Sequence, residues 1–189
     1  MKIILASKSP YRKHALDVLG VDHEVVPSNF DESSIRDNNP EMLAKKLSEN
    51  KALEIGRLYG DAIIISSDLL VVNNDIILEK PHNADRAIEM LRMLSGKTFD
   101  IIVGLAVYDT KNDNMLSTVE KCSVTFRDLN DFEINDYITR YPNAIECAGA
   151  FESDGLLRFA EHIAGNYNFR AAIPVNKLIE FLRTLKVSI

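Results

Sequence analysis

The sequence predicts an α/β fold in which helices cover a largely buried sheet, because strand-like and helical segments alternate along the chain. A short apolar run, Lys2–Ala6, is followed directly by a helical segment. A second run, Asp61–Ser66, is mostly apolar, which is typical of a strand covered on both faces. Apolar residues recur at helical spacing in Glu41–Leu58 and in Ala84–Leu94, which predicts two amphipathic helices.

Local signals mark the first elements. Pro10 suits the first position of a helix with Ser9 as its N-cap, and Gly20 suits the end of that helix. A second strand is predicted at about His23–Val26. The polar stretch Pro27–Pro40 has no apolar period and is typical of a loop beside a ligand cleft.

The later elements follow from the same patterns. Two short apolar segments flank Asn73-Asn74-Asp75 and predict a hairpin. Gly96 is the expected C-terminal end of the helix Ala84–Leu94. The predicted elements after the buried strand are Leu69–Val72, Ile76–Leu78, Ala84–Leu94, Ile101–Tyr108, Leu116–Phe126, Asn130–Arg140, a loop at Glu146–Gly155, and Val175–Leu185.

Length and composition exclude several classes of protein. The 189 residues suit one domain, and no flexible linker or repeat divides them. The net charge of −6 argues against nonspecific electrostatic binding of nucleic acid. Two cysteines are too few for a disulfide framework, so Cys122 and Cys147 are expected as buried or free thiols. No apolar run reaches the roughly 18 residues of a membrane span, and the cytoplasm is the expected location.

Cations cluster at the start of the first helix. Lys8, Arg12 and Lys13 lie where the helix dipole already disfavours positive charge. A bound anion such as a triphosphate would remove this conflict, because free N–H groups and cations would then all face it. A solvated basic helix end explains the same residues equally well. A Walker A loop is excluded because its glycines are missing.

Two further charged residues, Asp68 and Lys51, occupy informative positions. Asp68 follows a buried strand, where ligand crevices form, although a turn residue there is common. Lys51 lies four residues from both Leu47 and Ile55, within the apolar stripe that also includes Leu58, so it either snorkels or points into a cleft.

Weaker candidates complete this set. Pro81 restrains Lys80 to extended backbone, although an exposed lysine explains that position as well. Asp31-Glu32 could bind a divalent cation or form a solvated acidic turn. Segment 147–151, with Asp154 and Gly155 after it, permits close backbone approach near a carboxylate, although structural glycines are the more ordinary explanation.

Taken together, these short segments resemble those of the Maf family of nucleotide pyrophosphatases. The resemblance covers nearly the whole chain and rests on their combination and order. The matching segments are Leu5-Ala6-Ser7-Lys8-Ser9-Pro10-Tyr11-Arg12, Asp31-Glu32, Lys51-Ala52, Asp68, Lys80-Pro81, Leu94-Ser95-Gly96 and Ala148-Gly149.

The resemblance implies a twisted mixed sheet flanked by helices, two lobes around a deep cleft, a single domain over residues 1–189 and a homodimer. It also implies hydrolysis between the α- and β-phosphates of a nucleoside triphosphate, with Mg²⁺ or Mn²⁺ as cofactor. The residues resembling the catalytic set are Asp68, Arg12, Lys51 and Lys80, with Glu32 and Asp68 toward the metal and Ser7 toward the substrate.

Other positions look like the branch of the family assigned to 7-methyl-GTP. Tyr11 replaces the first of two arginines, Asp154 lies near an expected Gln, and Cys147 replaces a Lys. Leu69 replaces the Thr of the dTTP/UTP branch, although the 7-methyl-GTP branch often has Gln there. We therefore expect Tyr11, Leu69 and Asp154 to shape the base pocket. A dTTP/UTP pyrophosphatase and a non-catalytic nucleotide-binding regulator of cell division are the alternatives.

Overall fold

The computed structural model describes residues 1–166 and 170–187 and shows a mixed α/β fold. Within those residues there are five α-helices and one mixed sheet. The helices are α1 (Pro10–Val18), α2 (Pro40–Gly56), α3 (Ala84–Leu94), α4 (Asp131–Arg140) and α5 (Val175–Thr184). The strands are β1 (Lys2–Leu5), β2 (Glu24–Val25), β3 (Ala62–Asn73), β4 (Ile76–Ile77), β5 (Thr98–Asp109), β6 (Asn114–Phe126) and β7 (Ala160–Gly165).

The sheet has the strand order β2-β1-β3-β5-β6-β7, with β4 paired to β3. Strand β1 pairs in parallel with β2 and β3, whereas β4 pairs antiparallel with β3 and β7 antiparallel with β6. The α/β class and the mixed sheet are therefore confirmed.

The chain divides into two compact units, which we describe separately. The first comprises residues 1–69, 103–120 and the described part of 168–189. Its strands alternate side chains between two apolar cores. Ile63 and Ile65 pack with residues of α1 and α5, while Ile64 packs with Ala52 of α2. Both faces of these strands are thus covered, as their apolar sequence indicates.

The second unit comprises residues 70–102 and 121–167, of which Tyr167 is not described. Its core contains a cluster of aromatic rings in edge-on and tilted contact. The members are Phe99, Phe126, Tyr137, Phe151 and Phe159. Helix α4 begins with a capping box in which Asn130 and Glu133 exchange side-chain and backbone hydrogen bonds. Among the residues that the structure describes, no helix is long and apolar enough to cross a membrane.

Two predicted boundaries are wrong. The separate strands predicted on either side of Ser67 and Asp68 form one strand, Ala62–Asn73, because no glycine or proline breaks it and the buried side chains of Ser67 and Asp68 both find partners. Leu58 does not join the apolar stripe of α2. The helix ends at Gly56, and Leu58 beyond it is 69% exposed.

Candidate active site

The turn between β1 and α1 is organised by two serine side chains. Ser9 is the N-cap of α1, and its Oγ accepts the backbone N–H of Arg12 at 3.4 Å. The Oγ of buried Ser7 accepts the backbone N–H of Ser9 at 3.1 Å. Pro10 occupies the first helical turn as predicted. The turn therefore presents Tyr11 and Arg12 from a fixed helix start.

Arg12 is held at two points of its guanidinium. Its Nε donates to the carbonyl oxygen of Ala172 at 2.8 Å, and its Nη1 donates to Ser7 Oγ at 3.0 Å. Burial lowers the pKa of Arg12, and the nearby carboxylates of Asp68 and Glu32 oppose that shift. An arginine remains protonated at neutral pH despite such a shift, so this is a fixed positive charge facing two negative ones.

Lys51 projects from the buried side of α2. Its ammonium lies 2.5 Å from Oδ1 of Asp68 and 2.7 Å from Oε1 of Glu32. The snorkelling alternative is therefore wrong, because the ammonium meets carboxylates instead of reaching water. The structure brings together Arg12, Lys51, Asp68 and Glu32, as the resemblance implied.

Asp68 lies in the middle of β3, not at the end of a strand as predicted. The strand end that lies beside Asp68 is instead that of β1. The pairing of β1 with β3 ends at Leu5 and Ile65, three residues earlier, so the turn after β1 opens beside Asp68. Ligand crevices form outside the carboxyl ends of strands, and here that end belongs to β1 and not, as expected, to β3.

Glu32 reaches Lys51 from the loop between β2 and α2. It begins a short 3₁₀ turn, Glu32–Ser34, for which Asp31 is the N-cap. The loop is tied to α2 on both sides of Glu32. Glu54 accepts from the Ser28 side chain and the Asn29 backbone, and Lys46 pairs with Asp37 at 2.7 Å. The exposed carboxylate of Glu32 is therefore held near the buried ammonium.

Two of the predicted site residues belong to the second unit. Lys80 is exposed and follows Leu78, whose carbonyl accepts the backbone N–H of Gly149 at 3.2 Å. Burial raises the pKa of the Cys147 thiol to about 11, although the charge of Lys80 acts in the opposite direction. Asp154 is exposed and precedes the 3₁₀ turn Gly155–Arg158. The loop prediction for Glu146–Gly155 corresponds to a series of such short turns.

Tyr11 and Leu69 are both half-buried in the first unit. Tyr11 is the neighbour of Arg12 in the first turn of α1. Leu69 follows Asp68 on β3, so its side chain leaves the strand on the opposite face from the carboxylate.

Sequence reasoning missed two contacts at the carbonyl oxygen of Ala172, one of which involves Arg12. The carbonyl of Ala172 accepts from Arg12 Nε, and the hydroxyl of Ser67 reaches the same oxygen at 3.0 Å. A main-chain acceptor carries no signal in residue type. Ser67 offered a weak signal, since it is a polar residue in a run that predicts a buried strand.

The carboxylates suit a cation that binds together with phosphate. No three histidine, cysteine or acidic side chains converge on a point anywhere in residues 1–166 and 170–187. Mg²⁺ typically takes one or two carboxylates and completes its shell with phosphate oxygens and water. Glu32 and Asp68 already meet one cationic group, the Lys51 ammonium, and so fit this pattern.

Comparisons with known proteins give the chain its family. The family model described as Maf-like protein matches residues 2–185. A dTTP/UTP pyrophosphatase of Clostridium perfringens is 38% identical over 192 residues and covers all of both chains. A 7-methyl-GTP pyrophosphatase of Idiomarina loihiensis is 37% identical over 97% of this chain and 94% of that relative.

A 7-methyl-GTP pyrophosphatase of Colwellia psychrerythraea is 33% identical over 96% of this chain and 91% of its own. The solved structure of the Staphylococcus aureus Ham1 protein matches with a TM-score of 0.49 at 14% identity, over 97% of this chain and 99% of that one. The sequence matches span almost the whole chain, and the chain therefore belongs to the Maf family.

Proposed function

We propose that this Maf protein hydrolyses 7-methyl-GTP between its α- and β-phosphates and releases 7-methyl-GMP and pyrophosphate. At the coarser level the chain is a nucleotide pyrophosphatase, a hydrolase acting on acid anhydrides, as its family and its relatives establish. The observation that carries the proposed mechanism is the contact of Lys51 with Asp68, beside Arg12 and Glu32.

Asp68 acts as the general base in this proposal. Its Oδ1 is held by Lys51, which fixes the plane of the carboxylate and leaves Oδ2 to accept a proton from water. The water oxygen bonds to the α-phosphorus as the bond from that phosphorus to the bridging oxygen breaks. The bond electrons leave with pyrophosphate, and the water proton goes to Asp68.

Arg12, Lys51 and Lys80 neutralise the charge that the phosphates carry and gain during this step. The support is clearest for Arg12, whose guanidinium is fixed by Ala172 and Ser7 before any ligand arrives. Preorganised charge of this kind needs no rearrangement as the transition state forms. Lys80, which lies two residues after Leu78, is assigned the same role because of the family resemblance.

Glu32 and Asp68 would hold Mg²⁺ or Mn²⁺, together with phosphate oxygens of the substrate. Such an ion, when bound, would polarise the phosphate that is attacked. The exposed carboxylate of Glu32 is well placed to change partners when a phosphate approaches Lys51, because water surrounds much of it.

Tyr11 and Asp154 carry the proposal for the base. An aromatic ring can stack on the cationic ring of a 7-methylated purine. A carboxylate can accept from guanine N1–H and from the 2-amino group. Ser7 would contact phosphate from the turn before α1, and Leu69 would add apolar surface to the base pocket. The biological role would be removal of modified nucleotides before they enter nucleic acid.

A panel of nucleotides tests the substrate directly. Pyrophosphate release is measured from 7-methyl-GTP, GTP, dTTP, UTP and CTP with Mg²⁺ and then Mn²⁺. We expect kcat/KM for 7-methyl-GTP to exceed that for GTP and dTTP at least tenfold. A preference for dTTP or UTP would refute the assignment and favour the second candidate, which the 38% identity to a dTTP/UTP pyrophosphatase supports.

A non-catalytic nucleotide-binding regulator would instead bind nucleotides tightly without releasing pyrophosphate from any of them. We further propose that the protein acts in the cytoplasm as a homodimer, without nucleic acid or membrane as partner. Light scattering of the purified protein tests the dimer. A single monomer mass at micromolar concentration would refute it.

A further inference from the structure

We propose that Ser67 is a positioning residue for Arg12 and that it acts through the main-chain carbonyl of Ala172. The inference rests on the proposed function, in which Arg12 neutralises phosphate charge. It adds to that function a residue whose side chain faces away from Asp68 and Lys51, since neighbouring residues on a strand point to opposite faces.

Two groups meet at the carbonyl oxygen of Ala172. Arg12 Nε donates to it at 2.8 Å, and Ser67 Oγ lies 3.0 Å from it. The same hydroxyl lies 2.6 Å from the carbonyl oxygen of Gly104 on β5. Its single proton is therefore shared between two carbonyls, and Ser67 links the segment that holds Arg12 to the interior of the sheet.

The backbone at Ala172 explains why such a link is needed. Ala172 has a φ of 52°, a left-handed conformation that costs a non-glycine residue free energy and persists only where its surroundings enforce it. The next residue, Ile173, is fully buried in the core of the first unit and fixes one side of the turn. The contacts from Ser67 and Arg12 fix the carbonyl itself.

Arg12 depends on that carbonyl because its side chain is long and half-buried, which limits the water that can hold its guanidinium. Only two acceptors hold the group by hydrogen bonds among the described residues, the Ala172 carbonyl and Ser7 Oγ. A shift of the carbonyl would therefore turn the guanidinium about its remaining contact. A charged group that is displaced by up to about 1 Å lowers the reaction rate, even though the group is still present.

Strand β3 provides a matched control. Ser66 is as fully buried as Ser67 and lies next to it, but on the opposite face, and its Oγ has no hydrogen-bond partner within residues 1–166 and 170–187. Replacing Ser66 by alanine removes the same atom from the same strand without breaking a hydrogen bond to either carbonyl.

A double-mutant cycle on kcat/KM separates positioning from a general structural role. We expect S67A to lower kcat/KM about five- to tenfold with Arg12 present, chiefly through kcat, and less than twofold in an R12K background. S66A should stay within twofold of the wild type. Equal factors for S67A in both backgrounds would overturn the inference, because a loss of folded enzyme multiplies both alike.

A substrate-independent readout distinguishes this inference from the proposed function. The Nε–H resonance of Arg12, assigned by its disappearance in R12K, should exchange slowly with water in the wild type and in S66A. In S67A we expect its exchange to be at least tenfold faster. Unchanged exchange in S67A would overturn the positioning role even if turnover fell. Accelerated exchange in a protein without pyrophosphatase activity would refute only the proposed function.

Discussion

The ammonium of Lys51 lies 2.5 Å from Oδ1 of Asp68, and the two side chains are only 10% and 9% exposed. A buried ion pair of this kind has little net effect on stability compared with an apolar pair, but breaking it leaves one charge buried without its partner. The same contact sets the direction of the Asp68 carboxylate. Stability and the proposed catalytic role of Asp68 therefore depend on the same contact.

Replacement of Lys51 by methionine should destabilise the protein by about 3 kcal/mol, because Asp68 then loses its buried partner. Pyrophosphatase turnover should fall at least ~100-fold, since one of the preorganised cations is gone. Urea denaturation and a pyrophosphate-release assay measure the two effects.

A double variant and a control at a second lysine test this prediction further. K51M combined with D68N should recover most of the lost stability without recovering turnover. Lys46 lies on the same helix and pairs with Asp37 at a more exposed position, so K46M should cost less than about 1 kcal/mol. A similar loss in K46M and K51M would contradict the special role of the buried pair.

Replacement of Glu32 by glutamine should change metal dependence more than stability. Its carboxylate is 58% exposed, so the loss in unfolding free energy should stay below about 1 kcal/mol. The Mg²⁺ concentration for half-maximal turnover should rise by about tenfold or more, because one of two carboxylates is lost. Glu41 is an exposed carboxylate in the first turn of α2, and E41Q should leave this concentration within about twofold. An unchanged metal dependence in E32Q would exclude Glu32 as a ligand.

Gly104 allows α2 to approach β5. A Cβ at this position would collide with the carbonyl oxygen of Ala44 and come within 2.8 Å of Ser48 Oγ, so the helix that carries Lys51 would have to move. G104A should cost about 1–3 kcal/mol and lower turnover. Gly60 has open space around its Cβ position, and G60A should be nearly neutral. Thermal denaturation of both variants decides this, and equal melting temperatures would contradict the close packing.

Alkylation of Cys147 should have a strongly shifted pH profile. Burial raises the pKa of this thiol to about 11, so the reactive thiolate is scarce at pH 8. In a C122A background, the iodoacetamide rate should rise about tenfold per pH unit from pH 7.5 to 10. Removal of the Lys80 charge in K80A should move the profile to higher pH, because that charge lowers the pKa. A plateau at pH 9 would contradict the burial of the thiol.

Elements with a strong period or clear end signals were predictable from the sequence. Helix α3 has the predicted bounds, Ala84–Leu94, and α1 begins at Pro10 with Ser9 as its cap. The continuity of β3 was missed because Ser66, Ser67 and Asp68 interrupt its apolar pattern, while the partners of Ser67 and Asp68 lie far away in sequence. Strand β7 was missed because Ala160–Gly165 is largely exposed and has no apolar alternation.

The candidate site divides in the same way. Charged residue types in unusual places indicated Arg12, Lys51 and Asp68, while Lys80 and Glu32 were weaker candidates that the family resemblance strengthened. The approach of Glu32 to Lys51 could not be read from the irregular loop, because it depends on ties from that loop to α2. The roles of Lys80, Tyr11, Leu69 and Asp154 stay predictions.

The Asp68→Asn variant tests the central claim most directly. Its shape is nearly unchanged, but an amide cannot accept the proton of the attacking water. We expect kcat to fall by about 10²–10⁴-fold, while calorimetry gives a Kd for the preferred nucleotide within about fivefold of the wild type. Turnover near the wild-type rate in this variant would contradict Asp68 as the general base and with it the proposed mechanism.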